Sequence, residues 1–454
     1  TFNIKEGERF TIKKVHAIGD EFFKEKELLE YITVEEGNPY NQSKLVESIN
    51  NLKALWGNKG YIYADVYPQV KPDEKTNEVN ITFHVEKGKK FYVNRIIITG
   101  NKITKDKVVR RQFDIEEGDL LTTKKLNISK SNVEYLSFFE RGGVNWKIHR
   151  ISDDQANLEM NIREAKTGSL QAGLTYGTDR NSSQQSLRGN IKVEKKNLMG
   201  MGWDTGGMIE ANRHTLKALQ LHFFDPSIFD TDVSGGINLY KKWQEYEQWT
   251  NVNKTPKEST TGGHIRLGIQ LPKIDKRLQL LLEFGIEDIQ NNQPLAVGPQ
   301  KNSIQPILNK TFQQGMLNWI SIDLIKDTRN HQIYPNKGYK VFLNTKTALP
   351  FTNQEYSFFK TELDASCYNA LIGTDWLVLG LHGKAGTITA MGGHDNKSKK
   401  SKIIPYKELF HMGGQNTVRG FTWGGIGPAF NGDPLGGKHA IQFNAELIFP
   451  LIQF

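Results

Sequence analysis

Most of the chain after Gly168 consists of segments of about ten residues in which apolar and polar side chains alternate. In residues 264–271, for example, every second side chain is apolar. A period of two places alternate side chains on opposite faces of a β-strand, and about nine to eleven residues let a tilted strand cross a bilayer. No run of about eighteen apolar residues is present, which excludes a transmembrane helix. The sequence therefore predicts a sheet whose strands are long enough to span a membrane.

Other segments show the same alternation. They are Leu170, Ala172, Leu174 and Tyr176; Leu278, Leu280, Leu282, Phe284 and Ile286; and Ile441, Phe443, Ala445, Leu447 and Phe449. We count about twelve such strands between Gly168 and Phe454, with long polar connections such as Glu247 to Thr261 and Gln290 to Thr311. A soluble β-sandwich would have strands of about five or six residues and shorter loops. The pattern instead favours an antiparallel transmembrane β-barrel, although the mean hydropathy of the chain is only −0.53.

The first third of the chain contains an internal repeat. Every matching pair is separated by 81 positions, as in the step from Gly37 to Gly118. The pairs include Gly19 and Gly100, Glu35-Glu36-Gly37 and Glu116-Glu117-Gly118, and Leu45 and Leu126. A constant interval over this many positions is hard to obtain by chance, so we interpret it as a duplicated domain.

Both copies predict the same order of elements. A strand (Phe10 to Ala17; Phe91 to Thr99) precedes two helical segments, and two strands follow, which in the first copy are Tyr61 to Gln69 and Val79 to Val85. The second helix has apolar residues at a spacing of three to four, which gives a single buried face. These residues are Leu45, Ile49, Leu52 and Trp56 in the first copy and Ile128, Val133 and Leu136 in the second. The predicted fold of each copy is a small α+β layer with the order β-α-α-β-β.

This order resembles the POTRA domain, and two tandem copies before a barrel resemble the last two POTRA domains of the BamA family. The predicted boundaries are 1–87 and 88–166 for the POTRA domains and 167–454 for the barrel. In that family, POTRA domains bind incoming polypeptide by adding a strand to an exposed sheet edge, and the resemblance implies the same here. Rigid spacers are the alternative, and the sequence does not choose between the two edges of each sheet.

The segment from Gly413 to Phe421 carries the most specific motif. It resembles the Val-Arg-Gly-Phe/Tyr signature of the long loop that folds back into the lumen of BamA-type barrels. The matching residues are Val418, Arg419, Gly420 and Phe421. A second match is the Asp-x-Arg…Pro-x-x-Gly turn between barrel strands. Its residues here are Asp327, Arg329, Pro335 and Gly338.

A charged residue suits the tip of such a loop. A guanidinium offers five donors in a rigid fork, so Arg419 can pin the loop against carboxylates on the barrel wall. The family pairs this arginine with acidic residues on later strands, and the resemblance assigns that role to Glu446. Glu446 is opposite in phase to Phe443 and Leu447, so we expect it to face the lumen if they face lipid. A shielded contact of this kind contributes about 1.5 to 3 kcal/mol; the alternative is a solvated arginine.

The strand count falls short of the family's pattern. BamA-like barrels have about sixteen strands, and no closing strand is recognisable around Pro450 to Phe454. An open sheet in lipid leaves two unpaired edges, where each unmade hydrogen bond costs several kcal/mol. We therefore expect that the closing strands are missing from the chain or come from elsewhere.

Composition and motifs argue against several other functions. Cys367 is the one cysteine, so an intramolecular disulfide is ruled out, and the 11 histidines lack metal-ligand spacing. Patterns typical of hydrolases, metalloproteases and nucleotide-binding loops are missing. The net charge of +9 includes basic runs such as 397–400, which we interpret as solvated loops. We expect no enzyme activity, metal, cofactor or nucleic-acid partner.

The resemblance implies a protein that inserts and folds β-barrel proteins into the outer membrane of a Gram-negative bacterium, with its POTRA domains in the periplasm. The implied partners are unfolded barrel clients, outer-membrane lipids and accessory lipoproteins at the POTRA domains. The first barrel strand would form one side of a lateral seam at which a client strand pairs. Its residues are Leu170, Ala172, Leu174 and Tyr176.

Three alternatives stay open. Two-partner secretion transporters share the POTRA domains and the loop motif but export a polypeptide through the pore. They carry an N-terminal helix that plugs the barrel, and nothing before Phe10 resembles one. A passive porin or adhesin with accessory domains would not need the loop signature. A mitochondrial or plastid homologue would share the whole pattern.

Overall fold

A computed structural model describes most of the chain. The described ranges are 8–178, 185–212, 216–246, 249–250, 252–272, 274–275, 277–297, 301–331, 334–348, 356–371, 376–391, 403–414 and 417–449. The chain divides into two compact units, one within Thr1–Thr167 and Met199–Met201, the other within Gly168–Leu198 and Gly202–Phe454. The basic run 397–400 and the terminal residues 450–454 lie outside the described residues.

The first repeat folds in the order β-α-α-β-β that its sequence predicts. Its elements are β1 (Thr11–Ala17), α1 (Glu25–Leu29), α2 (Gln42–Gly57), β2 (Asp65–Asp73) and β3 (Glu78–Glu86). Strand β3 lies in the centre of the sheet, parallel to β1 and antiparallel to β2. Helix α2 packs on this sheet through its predicted apolar face, where Leu52 and Trp56 are fully buried together with Phe83 of β3.

The second repeat has the same topology. Its elements are β4 (Tyr92–Thr99), α3 (Asp106–Arg110), α4 (Thr123–Tyr135), β5 (Phe139–Arg150) and β6 (Gln155–Glu164). The sheet order is β4-β6-β5, with β6 in the centre. On α4, Val133 is buried as its spacing predicts, while Ile128 and Leu136 are only half-buried. Leu126, the repeat counterpart of Leu45, supplies the other buried apolar side chain of this helix.

The two repeats also share polar contacts. The buried hydroxyls of Ser48 and Ser129 each donate to the carbonyl four residues earlier, at 2.8 Å in both cases. Glu36 and Glu117 each accept a hydrogen bond from a backbone N–H of the first strand of their repeat, at 3.0 and 2.9 Å. Because these pairs are again 81 positions apart, the duplication extends to individual hydrogen bonds.

Within the described residues of the second unit, twelve strands form one antiparallel sheet. They are β7 (Gly168–Thr178), β8 (Gln185–Leu198), β9 (Trp203–Asn212), β10 (Leu216–Asp225), β11 (Val233–Glu245), β12 (Lys257–Gln270), β13 (Leu278–Asn291), β14 (Gly315–Asp327), β15 (Lys337–Ala348), β16 (Phe358–Ala370), β17 (Val378–Ala390) and, after the short β18 (Ala429–Phe430) and β19 (Asp433–Pro434), β20 (His439–Ile448). Sequential strands pair with each other, and β17 pairs with β20. The predicted partial barrel of about twelve strands is confirmed.

The two faces of this sheet are the reverse of those in a soluble protein. The apolar side chains Leu174 and Ile441 are 79% and 84% exposed. The opposite face buries charged and polar side chains, among them Glu287 and Asp323. A large apolar surface is unfavourable in water and is stabilised by contact with lipid. The sheet is therefore built as a membrane barrel, and the alternative of a soluble sandwich is wrong.

Two connections differ from the sequence-based prediction. The polar residues 257–261 belong to β12 and not to the predicted loop Glu247 to Thr261, because Glu258 and Thr260 are buried on the polar face of the sheet. Within the predicted loop Gln290 to Thr311, residues 290–291 belong to β13 and residues 301–311 form helix α5. Among the described residues, no helix is both long enough and apolar enough to cross a membrane.

Candidate functional site

The long connection between β17 and β20 lies against the polar face of the sheet. We call residues 403–414 and 417–437 of this connection the inner loop. Charged side chains bind it to the sheet at a buried base, formed by Lys407 and Glu408, and at an exposed tip, formed by Arg419. The two places differ in burial, and therefore in how strongly they bind the loop.

Glu408 is the buried anchor of the inner loop. Its side chain is 11% exposed, and its two oxygens lie 2.6 Å from Lys346 Nζ of β15 and 3.5 Å from Lys360 Nζ of β16. Lys360 also pairs with Glu362 at 3.3 Å, which balances the second ammonium group. Removing one partner of a buried ion pair leaves an uncompensated charge and costs about 3–5 kcal/mol. This contact therefore fixes the loop firmly across two strands.

Lys407 provides a second buried contact. It forms an ion pair with Glu287 of β13, whose side chain is almost fully buried. Glu287 also accepts a hydrogen bond from the Tyr240 hydroxyl of β11 at 2.5 Å. Of these two consecutive loop residues, Lys407 thus binds β13 and Glu408 binds β15 and β16.

An aromatic cluster surrounds Tyr406, the residue before Lys407 and Glu408. The Tyr406 ring lies 4.9 Å from the ring of Tyr246 and 5.1 Å from that of Phe312. Trp249 Nε1 donates to the Tyr406 hydroxyl at 3.3 Å, and that hydroxyl donates to the carbonyl of Pro434 at 2.8 Å. A buried apolar environment of this kind strengthens the neighbouring charge pairs, because their attraction is less screened.

The Val-Arg-Gly-Phe motif forms the exposed tip of the inner loop. Arg419 Nη2 lies 3.4 Å from Glu446 Oε1 of β20, the residue that the resemblance names as its partner. Their side chains are 81% and 53% exposed, so the pair contributes about 0–1 kcal/mol, less than the value expected of a shielded contact. Val418 is half-buried, Phe421 is exposed, and Gly420 adopts a φ of +88° that disfavours any other residue. The functional role of this pair stays a prediction.

Hydrogen bonds shape the approach to the tip. Gly413 has a φ of +112°, and a Cβ there would lie 2.1 Å from the carbonyl oxygen of Thr422. The Thr417 hydroxyl donates to the Gly413 carbonyl at 2.7 Å, and Gln442 Nε2 donates to the Thr417 carbonyl at 3.0 Å. The motif positions 415–416 lie outside the described residues.

The second motif forms the turn between β14 and β15. Arg329 donates from Nε and Nη2 to the two oxygens of Asp327 at 2.9 and 2.8 Å, which makes a bidentate pair. Gly338 has a φ of +101°, and a Cβ there would lie 2.4 Å from the carbonyl oxygen of Thr328. Pro335 is buried within the turn. These contacts shape the turn; a direct part in function stays a prediction.

Strand β7, which contains the predicted seam, lies at one edge of the described sheet and pairs with β8. Its residues Leu170, Leu174 and Tyr176 are strongly exposed, and Ala172 shares their face. At the other edge lies β20. The assignment of β7 to a seam stays a prediction.

A charged cavity lies beside the base of the inner loop. Residues that line it include Arg188, Glu210, Lys217 and Lys407. Arg188 Nη1 lies 3.3 Å from Glu210 Oε1. Across the described parts of the chain, no group of three or more histidine, cysteine, aspartate or glutamate side chains could hold a metal ion. The inner face is thus polar, as expected of a barrel lumen.

The sequence pattern gives little indication of the buried base. Glu287 could have been found, because it is opposite in phase to the exposed Phe284 and Ile286 on β13. Glu408 gives no such signal, because it lies in an irregular segment and its lysine partners are 62 and 48 residues away. Only the folded sheet brings these groups together.

Comparison with known proteins assigns the chain to a family. The Omp85 superfamily domain matches residues 197–454, which is more than half of the chain. The chain belongs to the Omp85 superfamily. The POTRA family, described as a surface antigen variable number repeat, matches residues 10–88 and 91–165. The predicted combination of POTRA repeats and barrel is confirmed.

Several curated relatives of this Omp85 chain are outer membrane protein assembly factors. The outer membrane protein assembly factor BamA of Neisseria meningitidis serogroup B is 28% identical over 99% of this chain and 55% of its own length. BamA of Neorickettsia risticii is 26% identical over 99% of this chain and 56% of its own length. The chain thus spans about half the length of the curated relatives it matches.

Solved structures share the fold. BamA from Haemophilus ducreyi lacking POTRA domains 1–3 has a TM-score of 0.68 and 22% identity, and the match covers 98% of this chain and 84% of that one. CdiB from Escherichia coli has a TM-score of 0.50 and 14% identity, and the match covers 99% of this chain and 77% of that one. At these identities the likeness concerns the fold alone.

Proposed function

We propose that this Omp85 protein is an outer-membrane protein assembly factor that inserts and folds β-barrel proteins. One arrangement carries the proposal: an apolar-out sheet with a loop anchored on its polar face, preceded along the chain by two POTRA repeats. Two BamA relatives match the chain over 99% of its length. The protein lies in the outer membrane of a Gram-negative bacterium, with its POTRA repeats in the periplasm.

The POTRA repeats receive unfolded clients by strand addition. A strand at the edge of a sheet carries unpaired N–H and C=O groups, and these bind an extended chain with little demand on its sequence. Such binding suits a protein whose clients share alternating strands and differ in side chains. Accessory lipoproteins bind the same repeats in this proposal, and outer-membrane lipids contact the apolar face of the sheet.

The edge of β7 serves as one side of a lateral seam. A client strand that pairs with it gains backbone hydrogen bonds, which are costly to leave unmade in lipid. Burial of the client's apolar face in the bilayer and closure of its own sheet then drive folding. The protein lowers the barrier and needs no nucleotide.

Export of a polypeptide through the pore is the second candidate. The fold likeness to CdiB favours it, because two-partner secretion transporters share the POTRA-plus-barrel architecture. Sequence favours assembly: identity is 28% with a BamA relative and 14% with CdiB, each over 99% of the chain. A passive porin or adhesin has no support from these relatives.

Quantitative mass spectrometry of the outer membrane after depletion of the full-length protein in its host separates the candidates. An assembly factor is expected to cause a broad fall in many unrelated barrel proteins. Loss of one secreted protein with an intact barrel proteome would contradict the proposal and support export.

Complementation then tests the inner loop. In the depleted host, Arg419→Ala is expected to lower barrel-protein levels at unchanged abundance of the variant. Lys254→Ala removes one exposed cationic side chain from the connection between β11 and β12, so it serves as the matched control. Full activity of Arg419→Ala would show that the exposed tip is dispensable.

A further inference from the structure

Each POTRA sheet has one edge covered by its own chain. The segment 37–40 covers the start of β1, where Gly37 N–H donates to the carbonyl of Ile12 at 2.7 Å, and further along the strand Val15 N–H donates to the Glu36 carboxylate at 3.0 Å. The segment 118–121 covers β4 by the equivalent contact, which is also 2.7 Å long. Strand addition is therefore blocked at β1 and β4. The edges left for it are β2 and β5, which among the described residues pair only with the central strand of their sheets.

The edge of β2 has lost part of its hydrogen-bonding capacity. Pro68 and Pro72 lie within β2, opposite Phe83 and Val79 of β3. Proline has no N–H, so it is compatible with an edge strand only where its nitrogen faces away from the neighbouring strand. Backbone groups alternate in direction along a strand, so the outward donors of β2 would come from positions 66, 68, 70 and 72. Two of these four donors are missing.

The edge of β5 keeps all of its donors. Val79 and Ala156 are equivalent, because they pair with positions of β1 and β4 that are 81 residues apart. The residue opposite Val79 is Pro72, whereas the residue opposite Ala156 is Arg150. By the same comparison, Trp146 of β5 is equivalent to Pro68 of β2. The second repeat thus offers an outward N–H at every position where one is expected.

We infer that the second POTRA repeat binds client strands at β5 and that the first repeat does not bind them at β2; this rests on the proposed assembly function. The occupant is an extended segment of a barrel client with alternating apolar and polar residues. One set of its side chains would lie beside the half-buried Trp146 and Ile148, which face the helix layer, and the other set would face water. An alternating segment satisfies both environments.

Disulfide trapping on the full chain tests this inference. Lys147 in β5 and Gln69 in β2 are equivalent exposed positions, so Lys147→Cys and Gln69→Cys form a matched pair. Each is made in a Cys367→Ser background, because that cysteine is exposed. The probe is a synthetic peptide with the sequence of residues 439–448 and a cysteine in place of Asn444.

We expect Lys147→Cys to trap the peptide about tenfold more efficiently than Gln69→Cys, because β2 has lost two hydrogen-bond donors. Equal trapping at both positions would overturn the inference, and so would trapping at Gln69→Cys alone. Absence of trapping at both would overturn binding at β5.

Proline exchange provides the converse test. Arg150→Pro, which copies the first repeat, is expected to reduce trapping at Lys147→Cys several-fold, whereas Arg150→Ala keeps the N–H and leaves it unchanged. The double change Pro68→Ala and Pro72→Ala is expected to raise trapping at Gln69→Cys, which no folding defect would produce. A double variant that traps no more peptide than its parent would contradict the role assigned to the prolines.

The two proposals fail in different ways. An intact barrel proteome after depletion would remove the assembly function, whatever the peptide does. A broad fall in barrel proteins combined with equal trapping at β2 and β5 would leave the assembly function standing and remove only the choice between repeats.

Discussion

Glu408 and Arg419 both bind the inner loop to the sheet, and their surroundings decide how much each contributes. Glu408 is buried between Lys346 and Lys360, where water cannot replace a lost partner. Arg419 and Glu446 are largely in solvent, where water screens their attraction. The base of the loop is therefore the stronger attachment, although the tip carries the recognisable motif.

Glu408→Gln is expected to release the base of the inner loop. The substitution leaves the buried ammonium group of Lys346 without its paired carboxylate, while Lys360 keeps Glu362, and the loss costs about 3–5 kcal/mol. Hydrogen exchange measured by mass spectrometry is expected to rise strongly across residues 403–414. Arg419→Gln is the control. It is expected to lower the free energy of local opening across these residues by about 1 kcal/mol or less. Equal effects of the two substitutions would contradict this ranking.

Glu164 gives the second repeat a dependence on pH. Partial burial raises the pKa of its carboxyl, but hydrogen bonds from the hydroxyl and N–H of Thr104 and from the N–H of Ile103 outweigh burial, so the pKa is lowered from 4.5. A lowered pKa in the folded state stabilises the fold above the unfolded value, and this stability is lost as pH falls through the folded value. Protection of the Ile103 and Thr104 amides is therefore expected to fall as the pH drops below the ordinary range of glutamate carboxyls. The Glu164→Gln variant is expected to show reduced protection at pH 7 and little further change on acidification.

Single residues were predictable from the sequence only where a local pattern marks them. Leu52 and Trp56 are buried as their helical spacing predicts. The contact between Arg419 and Glu446 was predicted from a motif. A motif specifies residue types but not their burial, so the exposure of this pair could not be predicted from the sequence. The attachment of Glu408 depends on three-dimensional proximity alone.

At the scale of elements, two turns within the second repeat contain a glycine with a positive φ. Gly100 follows β4 with a φ of +89°, and a Cβ there would lie 2.0 Å from the carbonyl oxygen of Ile162 in β6. Gly118 has a similar φ of +91°, but nothing lies within 4 Å of its Cβ position. The two glycines therefore separate backbone strain from steric overlap.

Gly100→Ala is expected to destabilise the second repeat more than Gly118→Ala does. Both substitutions force an L side chain into the left-handed region, at a cost of about 1–2 kcal/mol. Gly100→Ala additionally drives its methyl group into the backbone of β6. Hydrogen exchange in β4 and β6 reports the difference, and equal protection in both variants would exclude the overlap as a cause.

Elements were predictable wherever the hydrophobic period stays unbroken. Helix α2 and the strand β13 follow their periods closely, whereas β2 begins and ends four residues later than the predicted strand Tyr61 to Gln69. The prediction failed at 257–261, where polar residues continue β12. In a soluble protein such a stretch marks a loop, but the polar face of a barrel accommodates it within a strand.

At the scale of the whole sheet, the exposed apolar face is suited to contact with lipid. Leu221 and Gln220 lie next to each other near the middle of β10 and point to opposite faces. Leu221 is exposed on the apolar face, whereas Gln220 lines the charged cavity. The pair therefore tests the orientation of the sheet in a membrane.

Leu221→Arg is expected to reduce insertion into lipid vesicles, whereas Gln220→Arg is expected to be tolerated. An arginine at the bilayer midplane costs about 2–4 kcal/mol on the lipid face of a barrel and much less in a polar lumen. The protease-protected fraction, followed through a urea titration, measures the difference. Similar losses in both variants would show that the two faces are not separated by lipid and water.

The buried base of the inner loop also constrains the order in which the protein's own sheet can form. Glu287, Lys346 and Lys360 lie on three different strands, and two consecutive loop residues need all three in place. A chain in which β13, β15 and β16 have not yet aligned has nowhere to put the Glu408 carboxylate except water. We therefore expect the loop to dock after these three strands have aligned.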